Sequence, residues 1–92
     1  METPPETLDG ARVLQVANLA GAQPTGKTLH VGFDVNSFAA LAIAQYEAEP
    51  SGVYLFYCDA DWNVMDDTWH EDVDAASEQA NFEFRLLNFV EV

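Results

Sequence analysis

The sequence predicts an α+β domain: an antiparallel sheet of four or five strands with one C-terminal amphipathic helix packed on one face. Three observations carry that expectation. Apolar residues alternate with period two in two N-terminal segments, residues 12–19 and 28–35. Residues 53–59 (VYLFYCD) are apolar on both faces, as a central strand covered on both sides must be. From Asp72 onward the spacing becomes helical, with Val73, Ala76, Ala80, Phe84 and Leu87 on one side.

Residues 1–9 carry Pro4 and Pro5 without a periodic apolar pattern, so they read as a disordered tail and residues 10–92 as the single domain. Residues 12–19 (RVLQVANL) set Val13, Gln15, Ala17 and Leu19 on one strand face, with Leu14, Val16 and Asn18 on the other. Residues 21–26 (GAQPTG) have loop composition. Residues 28–35 (TLHVGFDV) bring Leu29, Val31, Phe33 and Val35 to a common face. Residues 40–48 (ALAIAQYEA) admit two readings: their alanines favour a helix capped by Asn36 or Ser37, whereas Leu41, Ile43 and Tyr46 fit a strand. The turn Pro50-Ser51-Gly52 makes a hairpin into residues 53–59 the simpler local solution, and the strand is the reading adopted. Residues 59–63 turn the chain back through Val64, Met65 and Thr68. Asp72 then caps a helix running to about Phe84, with Asp74 near the positive end of its dipole.

A chain of 92 residues is one domain, and at that size folding buries only about 60–65% of the unfolded surface. Its hydrophobic content of 49% supplies enough apolar area for a core despite the charge. Sixteen acidic residues stand against Arg12, Lys27 and Arg85, giving a net charge of −13. Such a surface repels nucleic acid and anionic membranes and attracts a basic partner or cations, and it equally fits plain solubility or adaptation to high salt. Cys58 is the single cysteine, which excludes an internal disulfide and a cysteine-based zinc site; within an apolar strand it reads as a buried, inert thiol. The longest wholly apolar run, residues 38–44, is too short to span a bilayer, and the N-terminus lacks the apolar stretch of a secretory signal. Cytoplasmic residence is the resulting expectation.

Three segments invite a chemical reading. Residues 21–28 (GAQPTGKT) match the P-loop pattern formally, with Gly26, Lys27 and Thr28 at the phosphate-binding positions. A P-loop needs a helix N-terminus after the lysine, whereas here the residues after Lys27 alternate with period two, and Pro24 removes one N–H donor. Nucleotide binding is therefore kept only as an alternative. Asp59, Asp61, Asn63, Asp66 and Asp67 imitate the start of a calcium loop, but Val64 stands where the sharp turn needs glycine and His70 where a bidentate Glu belongs. No metal site is assigned, and weak calcium binding through the DADWN turn is a further alternative. In residues 67–72 (DTWHED), Thr68 and Glu71 have capping-box spacing, Trp69 is placed to seal the end of the core, and His70 to satisfy local carbonyls. No serine or cysteine stands where His70 could activate it with Asp67 or Glu71, so no catalytic residue or cofactor is expected.

The order Y-L-F-Y-C-D-x-D-W-N, D-T-W-H-E, A-x-x-x-Q-A-x-F-E-F resembles a group of small uncharacterised bacterial proteins, over residues 41–84. The resemblance implies a short single-domain cytoplasmic chain and supports the hairpin reading of residues 40–59, while carrying no activity or ligand with it. The function expected is a small acidic, non-enzymatic interaction or inhibitory module for a basic partner such as a toxin or a nucleic-acid-binding protein. Asp61, Trp62, Asp66, Asp67, Trp69, His70 and Glu71 are its expected contact residues, since exposed aromatics ringed by acids combine anchoring area with electrostatic steering.

Overall fold

A computed structural model describes residues 3–20, 23–26, 32, 37–85 and 87–92. Five strands lie side by side in a curled antiparallel sheet, in the order β1 (Thr7–Leu8), β2 (Ala11–Asn18), β4 (Ala40–Gln45), β5 (Val53–Cys58) and β6 (Val64–His70). Helix α1 (Val73–Glu83) packs across one face, chiefly over β5 and β6. A second small ladder joins β3 (Gln23–Pro24) to β7 (Phe84–Arg85), and β8 (Val90–Glu91) pairs with β2 beside β1. Residues 28–35, expected as a strand, lie outside the described residues apart from Gly32.

Residues 40–45 are a strand, although alanine favours helix, because the sheet needs small side chains there. Ala40, Ala42 and Ala44 sit opposite Cys58, Phe56 and Tyr54 on the helix-free face, and all three alanines are wholly buried. Methyl groups opposite rings let the sheet curl until Phe56 and Trp62 close over it with Leu8, Val13 and Val16. On the other face Leu41 and Ile43 oppose Tyr57 and Leu55, and α1 covers them with Ala76 and Ala80. Small residues bring the helix backbone close, and each buried Leu or Ile beneath it contributes about 1.5–3 kcal/mol.

Two irregularities reset the alternation. A bulge in β2 between Val13 and Gln15 puts Val13 and Val16 on the same helix-free face and sends Leu14 to the helix side. A strict two-residue pattern instead groups Val13 with Gln15, Ala17 and Leu19. A second shift, between Tyr57 and Cys58, makes Met65 the extra residue of β6. The ordered chain also starts earlier than the expected tail boundary: Thr7 and Leu8 pair with Arg12 and Ala11, and Leu8 is buried. That apolar residue joins the helix-free core, which the prolines before it do not prevent.

The helix begins as expected, with the Asp72 carboxylate accepting from the Ala75 N–H at 2.8 Å. Its capping residue is Asp72 and not Thr68; Thr68 stands inside β6, so the capping-box pairing with Glu71 does not form. At the other end, the Phe84 N–H returns to the Ala80 carbonyl, and Thr25 donates its N–H to Glu83 O and its hydroxyl to Phe82 O. The two Thr25 contacts satisfy terminal carbonyls that no helical N–H reaches. Because Ala42 lies wholly buried opposite Phe56, Ala42→Leu should destabilise the fold by about 1–3 kcal/mol in urea unfolding, the usual scale of overpacking.

Candidate functional site

Strand β6 distributes the expected contact residues over both faces of the sheet. Asp67 and Trp69 oppose Phe56 and Tyr54 on the helix-free face, whereas Asp66 and His70 oppose Tyr57 and Val53 on the helix side. Asp61 is exposed in the preceding turn and Glu71 in the following one. Trp62 is not an exposed aromatic: at 8% exposure it belongs to the helix-free core. Its backbone adopts φ 64, the left-handed region that side chains larger than glycine rarely enter, and this turns the indole inward.

The turn that carries Trp62 is built by Asp59. One oxygen of its carboxylate accepts from the N–H groups of Asp61 and Asn63, each at 2.9 Å, and the other accepts from the Asn63 side-chain amide at 3.0 Å. The Asn63 contacts foremost, side chain and backbone, hold the Asp59 carboxyl below its ordinary value. Both oxygens thus serve the loop, and among the described residues no group of three or more His, Cys, Asp or Glu could hold a metal ion.

Trp69 is half exposed, and its indole lies over Gly52. A Cβ on Gly52 would fall 2.3 Å from the indole nitrogen. The aromatic ring therefore covers the glycine diagonally across the strand pair, a placement that protects backbone where no side chain can. Beside it, Tyr54 and Tyr46 meet edge to face at 5.3 Å, and the Tyr54 hydroxyl donates to Glu49 at 3.2 Å. Partial burial, followed by the charges of Asp9, Asp67 and Glu49, raises the Tyr46 phenol above its ordinary value; burial and then Glu49 do the same for Tyr54. The helix-free face thus presents three partly exposed rings with Asp9, Glu49 and Asp67 around them. Asp9, Tyr46, Glu49 and Tyr54 were not expected here, because three separate loops and strands bring them together.

An open cleft of about 870 Å³ adjoins Tyr46 at the end of the sheet. Arg12, Glu6 and Glu47 all line it, so its charge is mixed and singles out no ligand sign. Within the P-loop-like segment, Gln23–Pro24 pairs with β7 and Thr25 binds the C-terminal carbonyls of α1. That end of a helix is negative, the opposite of what a phosphate requires. Lys27 and Thr28 lie outside the described residues. Comparisons with protein-family models, curated proteins and solved structures find no match.

Opposite the rings, on the helix side, Tyr57 donates to the buried Glu83 carboxylate, and burial first and Glu83 second push its phenol far up. His70 meets Thr68 and not local carbonyls, with Nε2 2.7 Å from Thr68 Oγ1. Cys58 is wholly buried, and that burial, with Asp59 and Asp9 nearby, pushes its thiol up to about 12.

Two outcomes follow from this packing. Gly52→Ala should displace the Trp69 indole, shifting tryptophan emission and lowering stability by about 1–3 kcal/mol. Cys58 should resist a thiol-specific disulfide reagent in the native protein at neutral pH and react only at the rate of unfolding, since the thiolate is the attacking form.

Proposed function

We propose that this chain is a non-enzymatic interaction module that binds a basic protein partner through the helix-free face around Trp69. The observation that carries the reading is that half-exposed Trp69 shares a face with Tyr54, Tyr46 and Asp67, close to Asp9 and Glu49. A guanidinium or ammonium group laid on such a ring gains a cation–π contact of about 0.5–2 kcal/mol, which adjacent carboxylates reinforce. The remaining negative charge, part of a net −13, accelerates encounter with a basic surface and repels nucleic acid. Asp66 and His70 face the helix and support the strand; Trp62 supports it from within. In biological terms the reading is a masking or inhibitory protein of the cytoplasm. The nucleotide-binding alternative is less well supported, because Thr25 is engaged at the negative end of α1.

The test is titration with an oligo-arginine peptide, followed by tryptophan emission at low and high salt. Trp69→Ala should weaken binding by about tenfold or more, the scale of an anchoring residue. Asp67→Asn should reduce the salt dependence. Asp74→Asn and Glu78→Gln, on the exposed side of α1, should leave affinity nearly unchanged. If those helix variants weaken binding as much as Trp69→Ala does, the attraction is diffuse and the reading fails.

A further inference from the structure

The direction of each backbone group in the sheet follows from a single hydrogen bond. The Leu19 N–H donates to the Ala39 carbonyl at 3.0 Å, so Ala39 and every second residue after it turn their backbone groups toward β2. Ala40, Ala42 and Ala44 then turn theirs toward Cys58, Phe56 and Tyr54 of β5. Tyr57, Leu55 and Val53 are left to bond with Asp66, Thr68 and His70 of β6. By the same alternation, Asp67 and Trp69 direct their N–H and C=O groups away from β5, along the outer edge of the sheet. The Asp67 N–H accordingly meets the neighbouring Asp66 carboxylate, at 2.9 Å. Among the described residues no strand pairs with that side of β6, whereas the opposite edge, along β2, is shielded by β1 and β8.

We propose that the outer edge of β6 receives an extended basic segment of the partner protein as an added strand, antiparallel to β6 and bonded to the backbone of Asp67 and Trp69. This deepens the reading above and rests on it, since the same two residues carry the exposed side chains of the helix-free face. A guest residue opposite Asp67 or Trp69 points its N–H and C=O at β6 and its side chain onto that face. A guanidinium or ammonium group there meets the Asp67 carboxylate and the half-exposed indole. Antiparallel addition continues the pattern of the whole sheet and pairs slightly more strongly per residue than parallel addition. The bulge at Met65 interrupts regular pairing, which confines the guest to residues 66–70. A second copy of this chain is disfavoured, because it would bring a second net charge of −13 and its own acidic strand against Asp66 and Asp67. The Asp66 carboxylate keeps the Asp67 N–H occupied until a guest carbonyl takes its place, so the edge is blunted against unselected pairing.

The experiment titrates the full chain, by tryptophan emission at low salt, with three short peptides in which arginine alternates with threonine. One is unmodified, one is N-methylated at every arginine and one at every threonine. Methylation keeps the charge and removes the N–H donor, and because it sits on the peptide the result does not depend on a variant folding. Methylated arginines should weaken binding by about tenfold or more, the scale of one or two hydrogen bonds lost. Methylated threonines, whose N–H groups face away from β6, should bind nearly as well as the unmodified peptide. With the unmodified peptide bound, hydrogen exchange of the Trp69 amide should slow severalfold, while that of Thr68, already directed at β5, stays constant. Equal affinity for all three peptides, with Trp69→Ala still weakening each, overturns the added strand and leaves the Trp69 face as the binding site. A greater loss on threonine methylation, or no slowing of exchange at Trp69, also overturns it. Absence of binding by the unmodified peptide, or binding indifferent to Trp69→Ala, overturns the added strand and the reading beneath it together.

Discussion

The methyl groups of Ala40, Ala42 and Ala44, set against Cys58, Phe56 and Tyr54, are the constraint from which most of the molecule follows. A strand of larger residues would fill the helix-free face and keep the sheet open. With alanine there, the aromatic rings of β5 take the space and the sheet curls around them. That curl draws in Leu8 from the first strand and Trp62 from the turn before β6, so both faces of a small domain become core. The left-handed backbone of Trp62 is the local cost, typically about 1–3 kcal/mol, and burying an indole offsets it.

Burial on both faces limits where polar groups can go. On the helix-free face they collect at the margin, where Asp9, Glu49 and Asp67 surround rings that are only partly covered. On the helix side one carboxylate is carried inward by α1, and the Tyr57 hydroxyl meets it. The two arrangements share a strand. Alternate residues of β6 serve the surface through Asp67 and Trp69 and the interior through Asp66, Thr68 and His70.

The edges of the sheet show the same economy of short elements. Strand β2 is completed along one edge by β1 and then β8, with Val13 and Val92 donating to Glu6 and Leu14 carbonyls beyond the ladders. Neither partner exceeds two residues, and together they cover hydrogen-bonding groups that would otherwise invite another chain. The strap at Gln23–Thr25 does for the helix C-terminus what these strands do for the sheet.

The sequence by itself determined the fold class, strand β5, the helix and its Asp72 cap, and the buried state of Cys58, whereas residues 40–48 admitted helix or strand until pairing with β2 and β5 decided for strand. These depend on periodicity, turn residues and capping chemistry, which act over a few residues and so leave a local signature. Only the tertiary structure decided which aromatic is exposed. Trp62 and Trp69 stand in similar acidic surroundings along the chain, yet a left-handed turn buries one, while strand register lays the other over Gly52. The bulges at Leu14 and Met65 are likewise invisible to a two-residue pattern, since an extra residue reverses every assignment beyond it. Tyr57 and Glu83 stand 26 positions apart, and only the packing of α1 on β5 and β6 makes them neighbours. Long-range contact is set by how layers close on one another, a global balance of volumes that no local window contains.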